Sequence, residues 1–504
     1  MINTVIRYLQ NTAQRFPDKI AFRDNQRSIT FAELDKQARE LACLIHQKLN
    51  GAVKQPVGVY LPKGVSCIAA FMGAAYSGNY YTPLDIAMPK ERLHKITRIL
   101  APTLIITDTK HQENVSVYST VLVDQLEGPL LYEDRTLRNI LDAVIDTDIL
   151  YVMFTSGSTG EPKGAIVTHR AVADYVDWLT DTFAFTEETV FGNQAPFYFD
   201  NSVLDIYSTI ANGCETVIIP DEKFLSGAQL CSFLRDERIN TIFWVPSAMA
   251  LAANAGTLEK IPPDHLKKIL FAGEVMPVKL LNIWRKYVPD ALYANLYGPT
   301  EIAVDCTCYI VDRTFNDMES LPIGTACRNT GILVLNEKNA PVARGETGEL
   351  CVRGSCLAHG YYGDPVRTQA VFVQNPLNDK YPEKIYRTGD LVQYNERGEL
   401  IFIGRKDHQI KHRGYRIELG EIEAAALTAP GVENCCAVYD EDHQRIVVCT
   451  APETINKKAL YAHLKRLLPQ YMLPGLILAE KALPLNQNGK IDRQFLKNSL
   501  REGL

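Results

Sequence analysis

Short apolar runs of strand length alternate with stretches whose apolar residues recur at helical spacing, and this alternation restricts the fold more than any other feature. Residues 56–61, 103–107, 149–154, 216–220 and 241–245 are such runs, mostly bounded by polar or turn residues. Between them, residues 171–179 bring Val172, Tyr175, Val176 and Leu179 onto one helical face. Strands interleaved with helices predict an α/β architecture of parallel or mixed sheets covered by helices. No repeat of solenoid period and no low-complexity tract interrupts the pattern.

Near residue 404 the texture changes. Gly404-Arg405-Lys406-Asp407-His408 forms a polar break after a strand pattern over 399–403. Beyond it the spacing predicts a helix over 418–427, strands over 435–439 and 445–450, and a helix over 458–468. That is enough chain for a small α+β domain with its own core. The expected organisation is a large N-terminal domain, 1–404, and a small, mobile C-terminal domain, 405–504. A chain of 504 residues accommodates this readily.

The 53 basic and 59 acidic side chains leave a formal charge of −6, with no basic stripe of the kind that neutralises phosphodiesters, so nucleic acid is not an expected partner. The 12 cysteines show neither CxxC nor zinc spacing, which in a long acidic chain reads as reduced thiols. The N-terminus lacks a basic segment followed by an apolar core and a cleavage site. The longest apolar run, residues 67–76, is half a membrane span. A cytoplasmic protein without membrane insertion is expected.

The sharpest local signal is a strand pattern feeding Thr155-Ser156-Gly157-Ser158-Thr159-Gly160, followed by Lys163. Glycines allow close backbone approach, hydroxyls add donors, and a lysine adds charge, which together suit phosphate oxygens. A plain surface turn has the same composition. The run is not a Walker motif, because no Gly-Lys-Ser/Thr closes it.

With FTSGSTGEPKG (154–164) stand NLYGPTE (295–301), YRTGDL (386–391), GRKDHQIKHRGYRIELGEIE (404–423) and NGKIDR (488–493), supported by YTPLD (81–85) and NQAPFYFDNSVLDIY (193–207). In this order they resemble the adenylate-forming enzymes: the amino-acid adenylation domains of nonribosomal peptide synthesis and, most closely, stand-alone D-alanyl carrier protein ligases. The resemblance runs from about residue 10 to 495. It implies ATP and Mg²⁺ as cofactors, an amino-acid substrate and a phosphopantetheinylated carrier protein.

Site roles follow from the resemblance. It implies that Thr155, Ser156, Gly157, Ser158, Thr159, Gly160 and Lys163 handle the β- and γ-phosphates. Tyr297 would stack on adenine, with Asn295, Leu296 and Gly298 beside it. Thr300 would touch the α-phosphate and Glu301 would hold Mg²⁺. Asp390 would accept from the ribose hydroxyls and Arg405 would contact the ribose or phosphate side. Asp407 would be the hinge, residues 411–416 would help form the thiol tunnel, and Lys490 would bridge substrate carboxylate and α-phosphate. By residue type alone the ordinary alternatives are a core aromatic for Tyr297, a solvated charge for Glu301 and Lys490, a turn aspartate for Asp390, and a surface ion pair for Arg405 and Asp407.

Asp200, in Phe197-Tyr-Phe-Asp200-Asn201, stands where adenylation domains for α-amino acids carry the partner of the substrate ammonium; the alternative is an N-cap for a helix starting at Ser202. The implied pocket is Asp200, Asn201, Leu204, Phe243, Leu270, Ala272, Leu296, Val304 and Asp305. Leu204, Phe243 and Leu296 favour a small side chain, so glycine, alanine or serine is expected, ahead of a short basic amino acid. Ala272 departs from the D-alanine ligases, which generally carry cysteine there. No carrier segment with a Gly-Gly-x-Ser site follows residue 493, so the thiol acceptor is expected on a separate molecule. An acyl-CoA synthetase for a non-amino acid and an inactive nucleotide-binding scaffold are the competing readings.

Overall fold

The computed structural model describes residues 4–125, 134–157, 160–253, 256–485 and 491–501. The chain divides into two compact units. The first comprises Met1–Ile86, Ala101–Met153 and Ala165–Lys406; the second comprises Ala87–Leu100, Phe154–Gly164 and Asp407–Leu504. The sequence reading puts residues 87–100 and 154–164 in the N-terminal domain, whereas tertiary packing groups both with the C-terminal segment. Their partners are remote along the chain, so no local signal reports the association.

The first unit has a nine-stranded sheet in the order Thr325–Ala326, Thr307–Ile310, Leu292–Tyr297, Lys268–Phe271, Thr241–Trp244, Val190–Asn193, Glu215–Ile218, Ile20–Arg23, Ser28–Thr30. Its centre is parallel and its ends are antiparallel. A six-stranded sheet runs Thr120–Leu122, Leu104–Thr107, Pro56–Tyr60, Tyr80–Leu84, Ile149–Thr155, Lys163–Thr168, parallel through its first five strands. A five-stranded antiparallel sheet is built around Thr347–Gly354 and Lys384–Tyr394. The mixed α/β class expected from the alternation is the class found.

Strand alternation sorts the cores. Phe243 and Leu270 are cross-strand neighbours and face one apolar cluster, while Ile242, Trp244, Ile269 and Phe271 face another on the opposite side. Both faces are covered, which is why these strands read as continuous apolar runs. The helix expected over 171–179 spans His169–Phe183, opened by Thr168, whose side chain accepts from the Ala171 N–H.

In the second unit, Gln409–His412 and Tyr415–Glu418 form a hairpin whose two loop residues, Arg413 and Gly414, have φ of 52° and 80°. Positive φ at both positions is the geometry of the tight hairpin turn that matches strand twist. A three-stranded sheet follows, Asn434–Asp440, Arg445–Ala451 and Leu476–Ala479. Helices Leu419–Leu427 and Lys457–Leu467 share a core with one of its faces, and Leu496 of helix Arg493–Arg501 belongs to the core on the other. None of the 12 cysteines is in a disulfide, and among the described residues no helix is long and apolar enough to cross a membrane.

Helix Val65–Tyr76 is buried along nearly its whole length and packs on helix Phe31–Lys48. Gly73 sits at the closest approach, where an added Cβ would lie 2.5 Å from the Leu41 Cβ. Alanine at an ordinary helix site gains up to about 1 kcal/mol over glycine. Overpacking here costs about 1–3 kcal/mol, and the backbone-anchored Cβ of Leu41 cannot swing away. Gly73→Ala is therefore expected to lower stability, measured as a smaller urea midpoint; an unchanged or raised midpoint would show that the helices separate freely.

Candidate active site

Strand Leu292–Tyr297 of the first unit ends in a turn that only glycine permits. A Cβ on Gly298 would lie 2.2 Å from the Val304 carbonyl oxygen. One 3-10 turn, Thr300–Ile302, follows, and Ala303 and Val304 then take φ of 53° and 82°. Left-handed backbone at a β-branched residue is strained and persists only where the surroundings enforce it. The turn is closed by the Cys306 N–H donating to the Tyr297 carbonyl at 2.8 Å. Thr300 and Glu301 are buried, Glu301 to 1% exposure. The Tyr361 hydroxyl donates to Oε1 of Glu301 at 2.6 Å, and the Glu301 carbonyl accepts from the Ala358 N–H at 2.9 Å. Glu301 is thus no solvated surface charge.

Tyr297 is buried and its hydroxyl donates to Oδ2 of Asp390, while Arg405 donates to Oδ1 of the same carboxylate. The Asp390 and Arg405 side chains are 4% and 10% exposed. Burial and the adjacent Asp390 charge push the Tyr297 phenol well above its usual range. The Asp390 N–H donates to the Thr388 hydroxyl at 2.9 Å, and Arg405 reaches the Thr388 carbonyl at 3.3 Å. Phe402 flanks the Tyr297 ring at 6.4 Å between centroids. Asn295 donates to the Pro322 carbonyl at 2.8 Å. Asp407 accepts from the Gln409 N–H at 3.2 Å. Within the first unit Arg405 pairs with the Asp390 carboxylate.

The residues assigned to the substrate pocket are all buried. Leu204, Phe243, Leu270, Ala272, Leu296 and Val304 share one apolar cluster. Asp200 is 8% exposed, and the helix beyond it begins at Ser202 with Asn201 at the cap position, so Asp200 is not the N-cap. The Tyr175 hydroxyl donates to Asp305 Oδ2 at 2.6 Å, and its phenol is raised by burial and by the charges of Asp305 and Asp200. Tyr151 is fully buried and feels the Asp200 charge, and among the described residues neither its hydroxyl nor the Asn201 Nδ2 has a hydrogen-bond partner. Tyr151, Tyr175 and Tyr361 were not among the residues singled out from sequence. Tyr175 registered only as part of a helical apolar face, and nothing local reveals its hydroxyl's partner.

The glycine-rich loop lies in the second unit. The Ser156 hydroxyl donates to the Arg416 carbonyl at 2.7 Å and accepts from the Glu418 N–H at 3.2 Å. The Gly157 N–H donates to Oε2 of Glu421 at 3.3 Å, and Lys163 stands 3.8 Å from Glu418. Gly160 has φ of 80° and its carbonyl accepts from Lys95 at 2.8 Å. Ser158, Thr159 and Lys490 lie outside the described residues. Among the described residues no group of three metal-ligating side chains occurs. Glu301 remains a carboxylate of the kind that holds Mg²⁺ together with water and substrate phosphates.

Residues 9–362 match the AMP-binding enzyme family and residues 421–490 match its C-terminal domain. The chain belongs to the AMP-binding enzyme family. This AMP-binding enzyme is 31% identical over 494 residues to tyrocidine synthase 3 of Brevibacillus parabrevis, covering 97% of the chain and 7% of that protein. It spans between 6% and 44% of the length of seven such synthases. It is also 31% identical over 499 residues to the L-proline–[L-prolyl-carrier protein] ligase of Pseudomonas fluorescens, covering 96% of this chain and 97% of that one. Its fold matches a solved NRPS protein containing adenylation and PCP domains, bound to a vinylsulfonamide inhibitor, with a TM-score of 0.84 and 25% identity over 99% of this chain and 84% of that one.

The buried Asp390–Arg405 pair gives a stability test. Asp390 accepts from both Tyr297 and Arg405, and a hydrogen bond to a charged group contributes about 1.5–3 kcal/mol. Asp390→Asn keeps the size and is expected to lower unfolding stability in urea by that amount. A change below about 1 kcal/mol would place the pair in the weak, solvent-screened class.

Proposed function

We propose that this AMP-binding enzyme activates a small amino acid with ATP and passes the aminoacyl group to the phosphopantetheine thiol of a separate carrier protein. The observation that carries the reading is the buried carboxylate of Asp200, at the position where the sequence resemblance places the partner of a substrate ammonium. A buried carboxylate favours a cation beside it, and the ammonium of an α-amino acid is a cation of that kind. Support comes from the relative that covers both chains end to end and is a prolyl-carrier protein ligase.

In the first step a substrate carboxylate oxygen attacks the α-phosphorus, forming the mixed anhydride and expelling pyrophosphate. Charge builds on the phosphoryl oxygens, so donors aimed at them lower the barrier. In this reading Thr155 to Gly160 and Lys163 hold the β- and γ-phosphates, Thr300 holds the α-phosphate, and Lys490 bridges the carboxylate and α-phosphate. Tyr297, with Asn295, Leu296 and Gly298, receives the adenine, and Asp390 and Arg405 hold the ribose side. A Mg²⁺ held by Glu301 and nucleotide oxygens would supply charge neutralisation. In the second step a thiolate attacks the acyl carbon and AMP leaves. Asp407 serves as the hinge between the two steps.

Leu204, Phe243, Leu270, Ala272, Leu296 and Val304 line the side-chain end of the pocket, with Asn201 and Asp305 as its polar members. Their bulk favours glycine, alanine or serine. Use of ATP and a reduced thiol sets the enzyme in the cytoplasm.

Pyrophosphate exchange into ATP across the twenty L-amino acids, D-alanine, D-serine, β-alanine and simple carboxylic acids tests the reading. One small amino acid is expected to dominate. Asp200→Ala and Lys490→Ala are each expected to lower that exchange at least about tenfold, consistent with loss of a charged contact in the transition state. Exchange driven only by acids lacking an amino group, with Asp200→Ala active, would replace the reading with an acyl-CoA synthetase.

A further inference from the structure

The glycine-rich loop carries donors suited to phosphate, yet the acceptors facing two of them belong to the chain itself. Within the second unit the Gly157 N–H points at Oε2 of Glu421, and Lys163 pairs with Glu418. Ser156 is engaged by the backbone of the same segment, through the Arg416 carbonyl and the Glu418 N–H. Both carboxylates are buried, Glu418 to 7% and Glu421 to 4% exposure. Burial raises the Glu421 acid, with the adjacent Arg92 acting against the shift.

Glu421 divides its two oxygens. Oε1 takes the Arg92 guanidinium from helix Lys90–Leu100, itself 5% exposed, and Oε2 takes the loop N–H. The ion pair therefore anchors the carboxylate and aims its second oxygen at the loop. A carboxylate oxygen and a phosphate oxygen are both anionic acceptors that shorten and strengthen a bond from N–H or ammonium. They cannot both occupy the same donor.

We propose that Glu421, assisted by Glu418, is an internal competitor of pyrophosphate for the Gly157 N–H and the Lys163 ammonium. This rests on the adenylation reading for its consequence. While the carboxylates hold Gly157 and Lys163, pyrophosphate is short of two donors for its attack on the α-phosphorus of the acyl-adenylate, the reverse step that releases the amino-acid carboxylate and regenerates ATP. Glu421 is thus a positioning residue that favours the forward reaction after pyrophosphate has left.

Calorimetric titration of the whole enzyme with inorganic pyrophosphate tests this without depending on turnover. Glu421→Gln keeps the shape and removes the charge, and is expected to bind pyrophosphate at least threefold tighter than wild type. Glu418→Gln is expected to shift in the same direction, and it decides the matter if Glu421→Gln does not fold. Glu423→Gln makes the same charge change on the same helix, where the carboxylate instead faces Arg493 and the Ala437 N–H; its affinity is expected to match wild type. Affinities of Glu421→Gln and Glu418→Gln equal to wild type, an equal tightening in Glu423→Gln, or no measurable binding to any of the four proteins would overturn the proposal. Amino-acid-dependent exchange measured on the same wild-type sample separates the two claims. Its absence would overturn the adenylation reading while the comparison of pyrophosphate affinities still stands.

Discussion

The parallel sheets of the first unit must bury both faces, and much of the architecture depends on that constraint. Along adjacent strands Phe243 and Leu270 look into one core while Ile242, Trp244, Ile269 and Phe271 look into the other. A slip of one residue would exchange the two sets and drive each into a core shaped for the other. With register held this firmly, the strand ends can carry polar groups at defined positions. Tyr297, the last residue of its strand, meets Asp390 from within strand Lys384–Tyr394.

Beyond that strand end, buried carboxylates are matched with donors. Asp390 serves Tyr297 and Arg405, Glu301 receives Tyr361, and Asp305 receives Tyr175. Each carboxylate would be costly in an apolar core without its donors. The left-handed backbone at Ala303 and Val304 adds strain at this same place. Strain concentrated beside buried charge fits a site whose geometry is set before substrate arrives.

The motifs around Gly298, Asp390 and Arg405 were legible in sequence because each is a short run whose residue types carry their own chemistry. The helix starting at Ser202 was legible as well. The partners were not legible. Tyr361 stands 60 residues from Glu301, Tyr175 stands 130 from Asp305, and Gly157 stands 264 from Glu421. A tyrosine at helical spacing looks the same whether its hydroxyl meets solvent or a buried carboxylate. The same remoteness hid the grouping of residues 87–100 and 154–164 with the C-terminal segment.

The sequence by itself determined the α/β class, the order of the motifs and the membership in the AMP-binding enzyme family, because periodicity and motif residues act over a few positions of chain. Only the tertiary structure decided which buried groups share a hydrogen bond and which acceptors face the glycine-rich loop. Those pairings depend on long-range packing that brings helix Lys90–Leu100, residues 154–164 and the C-terminal hairpin and helix into one unit. Burial then makes each pairing obligatory, since a charge or N–H withdrawn from water must find its partner wherever the fold has put one.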